Sequence, residues 1–302
     1  MIDSVSKFML LLFAGIGFAT AHYNKKNLTK ELLFQSPQNG SASVKPEPLH
    51  IVVVILENHD YFQVLGSKDA PFINSLIKDK QSAVFSKSFS IEHPSQPNYL
   101  DIYSGNNQGI STDGHPSKEP FTTPNLGRQL LDAGKSFVTY AEDLPFAGYN
   151  GNAYKSYVRH HNPAANWMGT GNNQIPVTCI QPFTAFPTDY TQLPTVSLVI
   201  PNQQNDMHDG SVLQADEWIK NNFGNYIQWA KTHNSLFILT FDEDDYSGSD
   251  HILTLFTGEM VKGGTIKDQM NHFNLLRTME WIYDLPFAGN AAKVKPIENC
   301  WK

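Results

Sequence analysis

The sequence predicts an α/β fold: a single domain with a mostly parallel central sheet and helices on both faces. Apolar runs rich in β-branched residues, of which residues 50–56 (HIVVVIL) are the clearest, alternate with stretches of helical periodicity. The chain has 302 residues and no Gly/Ser-rich or Pro-rich linker in its middle, which favours one large core over two domains. Its aromatic content of 12% argues against a disordered chain.

The same patterns predict the individual elements in order. Strands are expected where apolar runs are short and bounded by turn residues, at 50–56, 83–90, 137–141, 195–200, 236–241 and 252–256. Helices are expected where apolar residues recur every three or four positions, at 70–78, 96–103, 126–133, 212–232 and 271–283. Gly134 directly follows the third helix, as is typical of a helix end.

Residues 144–193 form a predicted insertion in which this periodicity disappears. Gly, Asn, Pro and aromatic residues dominate there, and such excursions in α/β domains usually cover the site. We expect it to form the leaving-group side of a pocket, with His161 facing the substrate. The alternative is that its aromatic side chains form a satellite core; they include Tyr149, Tyr154, Tyr157, Trp167 and Phe183.

The first 21 residues are predicted to be a signal peptide. Lys7 supplies a positive charge, residues 8–18 form a short apolar segment, and Ala19-Thr20-Ala21 provides a cleavage site. Export to the periplasm or medium is therefore expected, with no stable membrane insertion after cleavage; an uncleaved membrane anchor is the alternative. Residues 22–48 are polar and rich in turn residues, and we interpret them as a loose lead-in to a domain over 49–302.

Charge and cysteine content restrict the partners and the covalent structure. The formal charge is 22 − 29 = −7 and no Lys/Arg-rich run occurs, so nucleic acid is not an expected partner, whereas a small phosphorylated substrate is. Cys179 and Cys300 are the two cysteines. They are compatible with one disulfide in an oxidising compartment or with two buried thiols.

Polar side chains follow several predicted strands at the point where each strand ends. Glu57-Asn58 follow the first strand, His93-Pro94-Ser95 the second, residues 201–209 a later one, and Asp242 to Asp245 the next. Each of these could be ordinary turn or capping chemistry if taken alone. Because the carboxyl ends of parallel strands meet at one edge of a sheet, we expect the groups to converge. Carboxylates gathered without Lys or Arg then predict a divalent cation.

Ser95 is the candidate nucleophile. It lies at a predicted strand-to-helix junction between Pro94 and Pro97, where the first backbone N–H groups of a helix can face an anion. Taken alone, a serine at this position would be interpreted as a helix N-cap. No phosphate-binding Walker loop or dinucleotide fingerprint follows a strand, which argues against nucleotide-driven chemistry.

Seven segments, in order, resemble the bacterial and fungal phosphoesterase family that includes the Francisella-type acid phosphatase and bacterial phospholipases C, a branch of the alkaline phosphatase superfamily. They span residues 51 to about 285 and comprise Val54 to His59, His93 to Tyr99 with Ser104-Gly105, His161-Asn162-Pro163, Pro201-Asn202 with Asn205 to Asp209, Phe241-Asp242-Glu243, Asp250-His251 and His272 to Thr278. The lipid-binding C-terminal domain of the larger phospholipases has no matching segment, so the resemblance favours an acid phosphatase with an alkaline phosphatase-like core.

The resemblance also implies residue roles. Glu57, Asn58, Asp242 and Glu243, together with the nucleophile Ser95, match the metal ligands, and Asn58 also matches a phosphate contact. Glu243 departs from the aspartate found in the family's acid phosphatase. The remaining matches line the phosphate site or lie next to it: His93, His161, His208, Asp209 and His251.

These roles together predict a metal-dependent phosphomonoesterase. Ser95 would attack phosphorus to give a phosphoserine, and His208 or His251 would protonate the leaving alcohol. The backbone N–H groups at the start of the following helix would stabilise the phosphate oxygens. The oxygen ligands suit Mg, Ca or Mn, and Zn is also possible. A phospholipase C-type phosphodiesterase is the first alternative and a secreted, non-catalytic binding protein the second; the oligomeric state stays open.

Overall fold

The computed structural model describes residues 45–302. The expected signal peptide at 1–21 and residues 22–44 of the expected lead-in lie outside the described residues. Among residues 45–302, no helix combines the length and the hydrophobicity needed to cross a membrane.

Eleven strands occur in the described part of the chain, and nine of them form one sheet. In chain order they are β1 (His50–Leu56), β2 (Ser82–Phe89), β3 (Phe137–Ala141), β4 (Ala153–Tyr154), β5 (Tyr157–Val158), β6 (Ile180–Pro182), β7 (Val196–Ile200), β8 (Ser235–Phe241), β9 (His251–Gly258), β10 (Gly264–Ile266) and β11 (Met270–Asn271). The sheet order is β10-β2-β9-β8-β1-β7-β3-β6, with β11 also pairing with β2, while β4 and β5 form a separate hairpin.

The predicted mostly parallel sheet is confirmed. β1 pairs in parallel with both β7 and β8, and β3 pairs in parallel with β7 and β6. The exception is β9, which is antiparallel to both β8 and β2. A fully buried antiparallel strand has the same continuous apolar pattern as a parallel one, so the sequence did not distinguish the two directions.

Within residues 45–302, six α-helices cover the two faces of the sheet. They are α1 (Tyr61–Val64), α2 (Pro71–Ile77), α3 (Ser95–Ser104), α4 (Leu126–Asp132), α5 (Val212–Ala230) and α6 (His272–Ile282). Apart from α1, each was predicted to within a few residues. Alternate residues of β1 face opposite cores: Ile51, Val53 and Ile55 pack with α3, α4 and α6, whereas Val52, Val54 and Leu56 pack with α1, α2 and α5.

Helix ends follow recognisable local chemistry. The Ser211 side chain accepts a hydrogen bond from the Gln214 N–H and starts α5, and Asn271 with Asn274 forms a capping box that starts α6. Helix α3 is buried along its entire length and ends at Gly105, which has a φ of 67°. A Cβ at Gly105 would collide with the Ala288 carbonyl, so this end of α3 requires glycine.

The insertion at 144–193 belongs partly to the scaffold. Its strand β6 extends the central sheet beside β3. Tyr157 and Trp167, which we expected near the leaving group, are 1% and 0% exposed and pack in the same core as α3. Phe183 packs against Trp218 on the other side of the sheet. Tyr157 and Trp167 are therefore part of the main core and not of the leaving-group side of a pocket. Phe183 is only partly buried and Tyr154 is 45% exposed, so the insertion does not form a separate satellite core either.

The two cysteines are separate thiols in the structure. Cys179 and Cys300 are both unpaired and buried. Burial raises the pKa of both thiols, which makes them poor nucleophiles near neutral pH. Of the two possibilities left open by the sequence, the structure favours two buried thiols.

Candidate active site

Four carboxylates meet at the carboxyl edge of three neighbouring strands. Glu57 follows β1, Asp206 lies in the loop after β7, and Asp242 and Glu243 follow β8. Because β1 lies between β7 and β8 and is parallel to both, these three strand ends lie side by side. All four carboxylates are at most 1% exposed, so the expected convergence of acidic strand ends is found.

Ser95 faces two of these carboxylates. It is the first residue of α3 and is 4% exposed. Its Oγ lies 3.1 Å from Glu57 Oε2 and 3.2 Å from Glu243 Oε1, and can donate to either. Pro94 is the N-cap residue, with no side-chain capping bond at this helix start, so the simple capping interpretation of Ser95 is wrong. The hydroxyl is directed into the acidic cluster.

Three carboxylates have the geometry of a cation site. One oxygen from each of Glu57, Asp242 and Glu243 lies within 4.8 Å of the other two. Glu57 Oε1 and Asp242 Oδ2 are buried and have no hydrogen-bond partner among residues 45–302. Asn58 adjoins them, and its backbone N–H donates to Asp242 Oδ1 at 3.3 Å. Unpaired buried oxygens of this kind fit a hard divalent cation, since burial without a partner is costly.

The electrostatics of the cluster lead to the same conclusion. Burial, and then the neighbouring Asp242 charge, raises the pKa of Glu243 to about 9. Burial also raises the pKa of Asp242 to about 6 and that of Glu57 well above its usual range. Carboxyl groups so close together need either protons or a cation to offset their mutual repulsion. Within this cluster, a cation would let all three ionise at neutral pH.

His161 comes to the cluster from the insertion. Its Nε2 lies 3.1 Å from Glu57 Oε1 and its Nδ1 lies 3.4 Å from Asp206 Oδ2, although neither contact has hydrogen-bond geometry. The ring is 1% exposed, and this burial lowers its pKa to about 3. His161 is therefore a neutral imidazole between two carboxyl groups.

Sequence reasoning assigned no role to three residues that support this arrangement. Tyr99 stacks on the His161 ring with centroids 5.0 Å apart and planes 12° apart. Asp206 accepts the His208 N–H at 2.8 Å, and its own carbonyl accepts the Glu57 N–H at 2.9 Å. His272 Nε2 lies 2.5 Å from the Asp242 carbonyl oxygen. Tyr99 was detectable from spacing, because it lies four residues after Ser95 on the same helix face.

His93 lies at the rim of the cluster. Its Nδ1 is 2.9 Å from Glu243 Oε2, and its Nε2 is 3.1 Å from Asp244 Oδ1 and 3.3 Å from Asp250 Oδ1. The ring packs against Tyr246 with centroids 4.1 Å apart. Its immediate contacts are thus carboxylates, including the candidate cation ligand Glu243.

The other two predicted histidines have different surroundings. His208 is one-third exposed, its Nδ1 lies 3.0 Å from Asp209 Oδ1, and its ring centroid is 6.1 Å from that of His161. His251 stacks on Tyr61 at 4.3 Å, and its Nε2 lies 3.1 Å from the Ser86 carbonyl oxygen. The structure therefore brings His208 and Asp209 next to the site but holds the His251 ring among aromatic residues at the start of β9.

The start of α3 offers fewer anion-binding N–H groups than the sequence suggested. The Gln96 N–H already donates to Asp113 Oδ1 at 2.9 Å. Pro97 has no N–H to donate. Neither residue can therefore donate a backbone hydrogen bond to a phosphate oxygen, because Asp113 already accepts from the Gln96 N–H and Pro97 has no N–H.

Known proteins resemble this chain in sequence and in fold. The model of the phosphoesterase family matches residues 67–286. A phosphatidylinositol-3-phosphatase of Mycobacterium tuberculosis is 43% identical over 268 residues, covering 88% of this chain and 87% of that protein. The phosphate-repressible acid phosphatase of Penicillium chrysogenum is 29% identical over 223 residues, which are 70% of this chain and 54% of that protein. The chain thus spans about half the length of this fungal relative.

A solved protein of the alkaline phosphatase superfamily from Vibrio parahaemolyticus superposes with a TM-score of 0.56 at 11% identity, covering 85% of this chain and 72% of the other. At that identity the likeness concerns the fold alone. The family match extends over more than half of the chain and includes Ser95, Asp206, Asp242 and Glu243, whereas Glu57 precedes the matched residues. The chain therefore belongs to the phosphoesterase family and is a phosphoric ester hydrolase with an alkaline phosphatase-like fold.

Proposed function

We propose that the protein is an exported, metal-dependent phosphomonoesterase of the acid phosphatase type that acts through a phosphoserine at Ser95. The observation that carries this proposal is the position of the Ser95 hydroxyl, 3.1 Å and 3.2 Å from two buried carboxylates. A buried hydroxyl costs free energy unless it is hydrogen-bonded, and here the partners are two carboxylates. The same arrangement is useful when the carboxylates hold a cation next to a nucleophile.

Glu57, Asn58, Asp242 and Glu243 would hold the cation together with Ser95 Oγ. When bound, a divalent cation would neutralise the carboxylates, lower the pKa of the serine hydroxyl and offset charge on a phosphate oxygen. The chain's own residues then position the attack: α3 fixes the serine, and His161 lies against Glu57 Oε1. His93 lies against Glu243 in the same way.

His208 is the group best placed to exchange a proton with the leaving alcohol. It is one-third exposed beside His161, and its Nδ1 lies next to the Asp209 carboxylate, so Nε2 is left for the substrate. His161 is less suited to this task, because burial keeps it neutral. We leave His251 outside the mechanism, since its Nε2 lies against a backbone carbonyl.

The monoester preference is supported by the relatives' names. The Mycobacterium tuberculosis relative is named a phosphatidylinositol-3-phosphatase, and two fungal relatives are named acid phosphatases. Export is supported by the predicted signal peptide at 1–21. A phospholipase C-type phosphodiesterase would use the same cluster and is the alternative that the experiment must exclude.

The test is a comparison of p-nitrophenyl phosphate with p-nitrophenyl phosphorylcholine, each with and without a strong chelator. We expect turnover of the monoester alone, its loss on chelation, and its recovery when Mg, Mn, Ca or Zn is added back. Preferred turnover of the diester would establish the phosphodiesterase instead. Absence of turnover with every metal and both esters would favour the non-catalytic binding protein. Monoester turnover that resists chelation would refute the metal requirement.

A further inference from the structure

A small polar cavity lies beside Ser95, on the side of the insertion. Its volume is about 110 Å³, and we call it the His160 cavity; its lining residues are Gln96, Asp113, Gly114, His115, Asn152, Arg159 and His160. Two contacts connect it to the active site. Gln96 follows the nucleophile directly and donates its N–H to Asp113. His160 packs edge-on against His161, with ring centroids 4.5 Å apart.

One wall of the cavity is held rigidly by a hydrogen-bonded network. Arg159 is 2% exposed, and its guanidinium donates to Glu119, to Asn166 Oδ1 at 2.9 Å and to Asn150 Oδ1 at 2.8 Å. His115 bridges Glu119 and Asn152, with its Nδ1 2.6 Å from Asn152 Oδ1. The buried Arg159 is thus held in place before any ligand arrives, and the exposed His115 is oriented by hydrogen bonds; such preorganisation reduces the entropic cost of binding.

Other lining groups have unused hydrogen-bonding capacity. Within residues 45–302, the half-buried His160 ring has no hydrogen-bond partner, and the exposed Asp113 carboxylate uses only Oδ1, for the Gln96 N–H. Burial lowers the pKa of His160 to about 3, so the ring is neutral and offers one donor and one acceptor. A carboxylate and a neutral imidazole together match neighbouring hydroxyl groups, each of which donates and accepts.

Other occupants fit the lining less well. A second phosphate would meet the Asp113 carboxylate, while the nearby Arg159 guanidinium is already neutralised by Glu119. Apart from the imidazoles, no aromatic ring lines the cavity, so neither a phenol nor a quaternary ammonium group finds a hydrophobic or cation–π surface. An alkyl group would bury these polar atoms without partners.

We propose that the His160 cavity binds the leaving-group alcohol and selects a polyol, an alcohol with hydroxyl groups next to the phosphorylated one. This proposal rests on the proposed phosphomonoesterase function and names its substrate class. Such a substrate places its phosphate at Ser95 and its neighbouring hydroxyls against His160 and Asp113. The polyol can be free in solution or can be the headgroup of a lipid, since both present the same hydroxyls.

The test uses two ring phosphates of the same size. myo-Inositol 1-phosphate and cyclohexyl phosphate differ in the ring hydroxyls, and we expect the wild-type kcat/KM to be at least tenfold higher for the inositol ester. His160→Ala should reduce this ratio at least tenfold, and so should Asp113→Asn, which keeps an acceptor for the Gln96 N–H. His233→Ala, an exposed histidine stacked on Trp229, is the matched control and should preserve the ratio.

Equal turnover of the two esters by the wild type would overturn the cavity proposal while leaving the proposed function standing. Turnover of neither ester, nor of p-nitrophenyl phosphate, would refute the function itself. Parallel assays with soluble inositol 3-phosphate and with phosphatidylinositol 3-phosphate in phosphatidylcholine vesicles show whether the polyol is free in solution or is a lipid headgroup. A His160→Ala loss on the soluble ester indicates a free polyol, and a loss confined to vesicles indicates a headgroup.

A measurement on the wild type protects the test against variants that fail to fold. Free myo-inositol should inhibit p-nitrophenyl phosphate hydrolysis competitively, whereas cyclohexanol at the same concentration should not. Equal inhibition by both alcohols, or by neither, would contradict hydroxyl recognition in the cavity.

Discussion

Asp206 should contribute to a loss of stability of the metal-free protein as the pH rises from 6.5 to 8, and Asp206→Asn should remove that contribution. The Asp206 carboxyl is completely buried. Burial raises its pKa from 3.8 to about 8, against the opposing effect of the His208 N–H. The substitution keeps an oxygen that can accept this N–H, so it removes the titration with little change in shape.

The sign and size follow from proton binding. In the unfolded chain the carboxyl has its ordinary pKa and is ionised throughout this range, whereas in the folded protein it stays protonated up to about pH 8. The folded state therefore binds one extra proton at Asp206, and this site alone lowers the stability by about 1.4 kcal/mol per pH unit as the pH rises. Other buried carboxyls with a raised pKa, such as Glu243, add to the slope of both proteins. Over the chosen range the Asp206 contribution amounts to about 2 kcal/mol, or about 4–8 °C in Tm for a domain of this size.

The assay is thermal unfolding of both proteins with excess chelator at four pH values in this range. The range lies at or above the ordinary histidine pKa, so the buried imidazoles His160 and His161 are largely neutral in both states and contribute little. The difference in Tm between wild type and Asp206→Asn should change by several degrees across the series. Two parallel Tm curves would refute the reasoning. Adding a divalent cation should flatten the wild-type curve, because a nearby positive charge favours the ionised carboxylate.

The remaining predictions concern the site and the insertion. Ser95→Ala should reduce p-nitrophenyl phosphate turnover to background while costing only about 1 kcal/mol of stability, measured by urea unfolding, because it removes a hydrogen bond; wild-type turnover would exclude Ser95 as nucleophile. Glu57→Ala and Asp242→Ala should each weaken cation binding at least tenfold by titration calorimetry, and unchanged affinity would refute their assignment as ligands. His161→Ala should lower kcat at least tenfold, because it leaves Glu57 Oε1 without its neighbour; unchanged kinetics would contradict this. Trp167→Ala should cost about 3–5 kcal/mol of stability and leave the preference among esters unchanged, because the side chain is fully buried. A changed preference would show that Trp167 contributes to the substrate pocket.

The backbone of the fold was largely predictable, because its main determinants are local. The apolar runs of β1 and β8 and the periodicity of α5 and α6 each define an element without reference to the rest of the chain. The rule that parallel strands end at one edge then placed Glu57 beside Asp242. Strand direction was less accessible: β9 is buried along nearly all of its length, and nothing in its composition shows that it is antiparallel.

The directions of individual side chains were the part of the site that could not be predicted from the sequence. His251 and His161 both have sequence contexts that suit an active-site histidine, yet one ring stacks on Tyr61 and the other lies against Glu57. That difference depends on tertiary packing, which sequence spacing does not encode. Tyr157 and Trp167 were misplaced for a related reason, because a segment without periodicity can still contribute large side chains to the core.

Strand β6 has a consequence for how a substrate gains access. The segment that supplies His160 and His161 continues into Ile180–Pro182, which is hydrogen-bonded to β3 within the central sheet. Swinging this segment outward as a lid would break those sheet hydrogen bonds and expose Trp167 to water. The insertion is therefore anchored as part of the scaffold, and the proposed selection of polyols would rest on complementarity to a preformed surface, without a closing motion.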